Sequence, residues 1–241
     1  MTLTTEQMVH QLYDKDQIAT VMAKHVWYHA ASLHNEELDD LWVKEHRDPH
    51  FAQNHGYYVQ SLRETYGELN VKMQREQLEW LHKAHPDVAV TEGNLRAGLF
   101  QIHPLTTQII EIAGDGQTAK GVWYTPGAVG GVGPVGEVDG FWIWERYGVD
   151  FAREDGEWKI WHLHTYTDLM FPVGGGWPGG SQSSPTGLGV GGQDDDGERR
   201  GEMPKPDLEE ITYHQYNYKQ VPQLLPRLPE PYYTFSETFS Y

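Results

Sequence analysis

The sequence predicts an α+β fold, with helices packed on one face of a curved antiparallel sheet. Three observations carry this. Apolar residues recur at helical steps through the first third of the chain, strand-like runs follow residue 95, and Asp-Gly turns separate two pairs of those runs.

Ile18, Met22, Val26, Ala30 and Leu33 fall at three- and four-residue steps, so residues 14–34 read as a helix with His25 and His29 on the same side. Asn35 is suited to cap a second helix, Glu36 to Val43, whose Glu36 and Glu37 favour the positive end of the helix dipole. The two make a helical hairpin. After Pro49, residues 51–59 read as loop and short strand. Ser61 is placed to cap a long third helix reaching Ala84, and Pro86 ends it. Strands are expected at 96–102, 106–112, 119–124, 140–153 and 158–168, with turns at 114–116 and at Asp155-Gly156, where glycine accepts a positive φ. Glycines 127, 130, 131, 133 and 136 lie between two of these strands and read as a mobile flap. They lack the strand-to-helix context and the lysine of a phosphate loop.

Residues 1–172 form one domain on this reading. Residues 173–203, rich in Gly and Ser and then acidic, read as a linker. Residues 204–241 alternate proline and tyrosine, cannot build a core of their own, and are expected to lie extended on the body or on a neighbouring subunit.

Composition excludes several functions. A formal charge of −17 repels phosphate backbones and anionic membrane surfaces, so neither nucleic acid nor membrane is an expected partner. With no cysteine, disulfides, thiolate nucleophiles, Cys-ligated zinc and iron–sulfur clusters are out. No apolar run has membrane-spanning length and the first residues lack the order of a secretory leader, so a cytoplasmic location is expected. The 9 Trp and 14 Tyr offer flat apolar surfaces with polar edges, suited to an aromatic or polycyclic ligand as well as to a core.

The most informative stretch is Trp158-Lys159-Ile160-Trp161-His162-Leu163-His164-Thr165-Tyr166-Thr167-Asp168. Strict alternation puts Trp158, Ile160, His162, His164, Tyr166 and Asp168 on one face, an apolar floor ending in acid–base groups suited to proton transfer near neutral pH. The opposite face, with Trp161 and Leu163, is apolar enough to imply cover by a second layer and a homodimer or larger assembly.

A helical hairpin, a long third helix and a sheet closing on Gly156-Glu157-Trp158-Lys159-Ile160-Trp161-His162, together with Trp27-Tyr28-His29 at the end of the first helix, resemble the SnoaL-like branch of the nuclear-transport-factor-2-like superfamily over roughly residues 10–170. The resemblance implies a sheet wrapped into a cone around an interior pocket, frequent dimers, and relatives such as scytalone and bile-acid dehydratases, polyketide cyclases and formaldehyde-releasing lyases of diarylpropanes, which work without redox cofactors. It matches Tyr28 to the tyrosine of the dehydratases. Leu33 and His34 stand where their aspartate is expected, so the carboxylate has to come from elsewhere, with Asp168 a candidate, or be replaced by histidine.

The leading expectation is therefore a cofactor-independent lyase that eliminates water or formaldehyde from a hydroxylated aromatic molecule. His164 is the expected base, Tyr28 and Tyr58 the phenols, His103 the alternative acid and Asp168 the carboxylate. His29, His55, Trp123, Trp142, Arg146, His162 and Tyr166 are the expected substrate contacts, with Arg146 either stabilising negative charge or ion-paired to Glu145 or a neighbour. His164 and Tyr28 are expected to face each other across the cavity. Two competing readings are a metal enzyme using the His162-x-His164 pair, for which no further ligand set declares itself, and a non-catalytic binding module of the same fold.

Overall fold

The computed structural model describes residues 4–177, 205–209 and 212–241. Thr4 caps the first helix: its hydroxyl accepts from the Gln7 backbone while the Gln7 side chain accepts from the Thr4 N–H. Helix α1 (Thr5–Ala30) thus begins well before the apolar stripe at residue 14, and it buries only its second half, through Ile18, Met22 and His25. Ser32, in the left-handed region at φ 54°, turns the chain into α2 (His34–Leu41).

Strands β1 (His50–Gln53) and β2 (Gly56–Tyr58) form a hairpin about Asn54. The third helix opens as a π-helical turn, Arg63–Glu68, before continuing as α3 (Leu69–Ala84). Gly67 in that turn lies against α2, where a Cβ would stand 2.1 Å from Asn35 Oδ1.

The sheet follows: β3 (Phe100–Ile102), β4 (Thr106–Ile112), β5 (Thr118–Val132), β6 (Val138–Glu154), β7 (Glu157–Pro172) and the short tail strand β8 (Leu208–Glu209). Its order is β3-β5-β6-β7-β1-β2-β8, with β4 also on β5, and the pairing is antiparallel except that β1 runs parallel to β7. The glycine-rich segment is not a flap. It continues β5 and only residues 133–137 turn; Gly127 is required because β3 crosses there so closely that a Cβ would sit 2.1 Å from the Ile102 carbonyl oxygen.

The inner face of the sheet meets the helices in one core: Ile18 and Met22, Leu38, Leu41 and Trp42, then Tyr147, Val149 and Phe151 of β6, and Trp158, Ile160 and Leu163 of β7. That last set departs from strict alternation. Phe151 pairs with Ile160 but Asp150 with His162, so Trp161 is an extra, bulged residue, and a second bulge at Asp168 separates the pairs Glu145–Thr167 and Trp144–Leu169. Trp158 and Ile160 therefore point inward, whereas His162, His164 and Tyr166 point outward. The expected single face splits at Trp161, and the apolar outer patch goes with it: Leu163 is core, and Trp161 is covered by the tail ring of Phe235 at 4.5 Å.

The described tail lies on the outer face of its own chain. Lys120 of β5 and Asp150 of β6, both wholly buried, form an ion pair at 2.5 Å, and Phe235, Phe239 and Tyr241 close over the ammonium at 4.4–4.9 Å. Asp150 also accepts from His162 Nδ1 (2.8 Å), Ser240 Oγ (3.2 Å) and the Tyr241 N–H (2.9 Å). The linker expected at 173–203 lies, from residue 178 on, outside the described residues. Among the described residues no helix is long and apolar enough to cross a membrane.

Because Asp150 anchors a buried ammonium, Asp150→Asn is expected to destabilise the fold by about 3–5 kcal/mol in urea unfolding, and adding Lys120→Met to recover part of that loss. A single variant as stable as the parent would show that the pair is not what holds the tail.

Candidate active site

Two carboxylates sit inside the cone, one on each wall. On the helical wall, Glu37 of α2, fully buried, accepts from His25 Nδ1 of α1 (2.9 Å), from Trp42 Nε1 (3.1 Å) and from the Tyr66 hydroxyl (2.8 Å). Tyr66 belongs to the π-helical turn, whose wider ring aims its side chain at α2. On the sheet wall, Glu145 of β6 accepts from Thr167 Oγ1 (2.8 Å) and Tyr147 OH (3.4 Å), and His103 Nδ1 stands 3.3 Å away. That last contact has ion-pair distance without hydrogen-bond alignment, so His103 Nδ1 lacks a hydrogen-bond partner.

His29 stands between the walls. Its ring centroid lies 5.8 Å from His25, 5.0 Å from His103 and 4.9 Å from His34, and a single N–H···N bond of 3.1 Å joins it to His34. His25, His34 and His103 are buried, while His29 keeps part of its surface accessible. His34 Nδ1 and Gln74 Oε1 are also buried without a hydrogen-bond partner. Such atoms call for water or a ligand group.

The protonation states follow from these contacts. Burial pushes both glutamates upward, but the charges and donors around them prevail: His25 and Trp42 hold Glu37 below its ordinary value, and His103, Thr167 and Tyr147 do the same for Glu145. Burial lowers His34 to about 4, outweighing the attraction of Glu37, and burial together with the neighbouring imidazoles holds His29 well below 6.5. Burial, then the adjacent carboxylates, raises Tyr66 and Tyr147 well above 10, so both remain hydroxyl donors. The interior holds one imidazole hydrogen-bonded to a carboxylate, His25, and one at ion-pair distance from the other carboxylate, His103, with His29 and His34 between them, a set able to take a proton at one wall and return it at the other.

Of the residues the sequence singled out, the structure brings His29 and His103 into this interior. Trp123 also faces inward but packs in the core, edge to Phe151 at 6.1 Å. Tyr58 stacks on Phe51 at 6.4 Å, and Phe51 in turn contacts Tyr66. The others lie elsewhere. Tyr28 gives its hydroxyl to Asp40 at 3.2 Å on the exposed side of the hairpin. His164 is buried on the outer face, with Nε2 donating to the Asn54 carbonyl (2.9 Å) and Nδ1 accepting from Tyr166 (3.0 Å) and Tyr57 (3.2 Å). Tyr28 and His164 thus lie on opposite sides of the core and do not face each other, because the bulge at Trp161 turns His164 outward.

His162 belongs to the Asp150 network, and it stacks on His50 at 4.2 Å. Arg146 forms a two-pronged ion pair with Asp168 on the outer face, the partner being Asp168 rather than Glu145. His55, in the β1–β2 turn, lies 5.6 Å from the tail ring of Tyr213. Trp142, 42% exposed, lines an open apolar groove with Ile102, Pro104, Pro126 and Trp144. His162 and His164 do not converge, and among the described residues no group of three or more His, Asp or Glu is arranged as a metal site.

Residues 10–164 match the SnoaL-like domain. The chain belongs to that family. No curated protein matches it. Solved structures similar to it include LinA (14% identity, TM-score 0.49, covering 69% of this chain and 94% of that one) and the hexachlorocyclohexane dehydrochlorinase LinA-type3 of Novosphingobium barchaimii LL02 (15%, 0.48, 69% and 94%). An NTF2-like protein with a cystatin-like fold from Novosphingobium aromaticivorans is a third (15%, 0.39, 66% and 85%). Likenesses this distant carry no conclusion about chemistry. Within the SnoaL-like domain, the signals that the sequence carries without marking them as a site are His25, four residues before His29 on the same stripe, Glu37, which reads as a partner of the helix dipole, and Glu145, which reads as a partner of Arg146.

The depressed groups fix the pH response. The unfolded chain protonates His34 near 6.5 but the folded chain only near 4, so stability is full above pH 6.5 and falls by about 3 kcal/mol as pH drops to 4. Glu37 and Glu145, also depressed, contribute above the ordinary carboxylate value of 4.5 and lose that contribution at still lower pH. Urea unfolding at pH 7.5, 5.5 and 4.5 is expected to show this decline and His34→Gln to flatten its upper part. An unchanged slope in the variant would contradict the assignment.

Proposed function

We propose that this SnoaL-like protein is a cofactor-independent lyase that acts on a hydroxylated aromatic or polycyclic small molecule and eliminates water or formaldehyde by acid–base chemistry at the inner cluster. The observation that carries the reading is the pair of buried His–Glu units on opposing walls, with a partly accessible histidine between them. His25, oriented by Glu37, takes the proton, and His103, beside Glu145, returns one to the leaving oxygen.

In a dehydration, His25 removes a proton from the carbon next to the carbinol. The C–H pair becomes the new C=C bond, and the departing hydroxyl leaves as water with the proton from His103. In the formaldehyde-releasing variant, His25 removes the proton of a hydroxymethyl group. The C=O bond of formaldehyde forms as the C–C bond breaks, and that electron pair builds the C=C bond and expels the adjacent hydroxyl as water. Tyr66 and Tyr147, kept protonated, donate to the two carboxylates and hold them for the imidazoles. The family resemblance supports a small-molecule site in this interior, and the aromatic composition supports a ring-bearing substrate.

Dialysed, chelator-treated protein is expected to convert a 1,2-diaryl-1,3-propanediol or a related benzylic alcohol, followed by formaldehyde release and by the absorbance of the conjugated product. His25→Asn and His103→Asn are each expected to lower kcat about 100-fold or more with the fold intact, while Tyr28→Phe stays within about twofold. Inner variants that turn over at the parental rate would overturn the assignment.

A further inference from the structure

A partly open pocket lies on the opposite face of the sheet. Tail residues 213–223 arch over β6 and β7 and leave a cavity of about 240 Å³ beneath them. Four aromatic residues form its walls: Tyr124 and Trp144 from the sheet, Trp177 after β7, and Tyr216 from the tail. Tyr124, Trp177 and Tyr216 leave 47%, 55% and 36% of their surfaces exposed, so this aromatic area is not spent on the core. The floor is the Arg146–Asp168 pair.

The roof is fixed. Tyr213 OH donates to the Thr167 carbonyl (2.7 Å), the Tyr216 N–H to the Asp168 carbonyl (2.8 Å), and Arg146 Nη1 to the Gln223 carbonyl (2.7 Å). The Gln223 side chain ties the arch to itself by accepting from the His214 N–H (2.8 Å) and donating to the Thr212 carbonyl (2.6 Å).

The chemistry of the lining selects a ligand class. Each guanidinium nitrogen of Arg146 is already engaged, Nε and Nη2 by Asp168 and Nη1 by Gln223, and the other basic side chain among the described lining residues, His214, has its Nδ1 against the Gln215 carbonyl (3.1 Å). The overall charge of −17 opposes an anion as well. The Arg146 charge neutralises Asp168, which weakens the pull on an organic cation but leaves the carboxylate oxygens as acceptors; the Asp168 side chain is 23% exposed, against 9% for Arg146. A hydroxyl donor answers that acceptor, and a flat ring answers the walls. The volume, at the small end for ligand sites, suits one ring.

We propose that this outer cavity is a binding site for a neutral single-ring phenol, its ring between the Trp and Tyr walls and its hydroxyl donated to Asp168. The site is separate from the inner His–Glu cluster and does not depend on the acid–base reading of that cluster.

Calorimetric titration of the full chain with 4-methylphenol tests it, with 4-methylanisole, 4-methylbenzoate and benzyltrimethylammonium as the donor-free, anionic and cationic comparisons. Saturable binding of the phenol is expected, with the anisole weaker by about tenfold for want of the donated hydrogen bond. Trp177→Ala and Tyr216→Ala, both at exposed rings, are each expected to weaken phenol binding by about tenfold. His103→Asn, inside the cone, is expected to leave it unchanged. Absence of saturable phenol binding, indifference to both wall variants, tighter binding of the ammonium or benzoate, or loss in His103→Asn would each overturn the proposal. None of these results depends on whether the inner cluster turns over a substrate.

Discussion

The burial of two carboxylates inside the cone is the constraint from which the rest of the structure can be read. An ionised glutamate taken out of water costs several kcal/mol unless donors replace its hydration, and removing one donor leaves an uncompensated charge. Glu37 and Glu145 therefore recruit donors from every layer: α1 supplies His25, the segment after α2 supplies Trp42, and the π-helical turn supplies Tyr66. The sheet supplies Tyr147 and Thr167, and the end of β3 brings His103 close. Helices and sheet are thus held in register by polar demand as well as by the apolar core of Ile18, Met22, Phe151 and Ile160. The π-helical turn fits this demand, since it places Tyr66 opposite Glu37 while Gly67 lets the backbone approach α2.

Features fixed by local chemistry were legible in the sequence. The turns at Gly116 and Gly156 take the positive φ that their Asp-Gly pairs announce, and the helical stripe through Ile18 and Met22 is buried as its spacing indicates. The phase of β7 was not legible. Alternation predicts faces only while the ladder stays regular, and one bulged residue inverts every side chain beyond it. Trp161 is that residue, so His162, His164 and Tyr166 leave the face that Trp158 and Ile160 define. The inner carboxylates were hidden for another reason. Glu37 stands 12 residues from His25 and 29 from Tyr66, so nothing local marks it as other than a surface acid at a helix start.

The outer face follows the same electrostatic logic with a different result. Lys120 and Asp150 are as deeply buried as Glu37, yet beyond each other and His162 their partners come from the end of the chain: Ser240, the Tyr241 N–H and the rings of Phe235, Phe239 and Tyr241. A proline- and tyrosine-rich segment that cannot form its own core finds one on a strand face that presents a charge and flat apolar surface. The tail hydroxyls are correspondingly hard to ionise, and burial raises Tyr213 and Tyr241 above the usual phenol range.

The sheet therefore separates two polar systems of similar composition, and hydrogen-bond satisfaction distinguishes their roles. Outside, Asp150 accepts from four groups and Arg146 engages all three of its nitrogens, so these charges are matched by the chain itself. Inside, His103 Nδ1, His34 Nδ1 and Gln74 Oε1 are buried without such a match. A purely structural cluster would gain stability by closing those gaps or by replacing the groups with apolar ones, since an unpaired buried polar atom costs about 1–3 kcal/mol. Retaining them beside the His25–Glu37 pair is explicable if their partner arrives with a bound molecule. By that argument the acid–base reaction proposed for this SnoaL-like chain fits the helical side of the sheet, where His25 and His103 flank His29, better than the outward-facing histidines of β7.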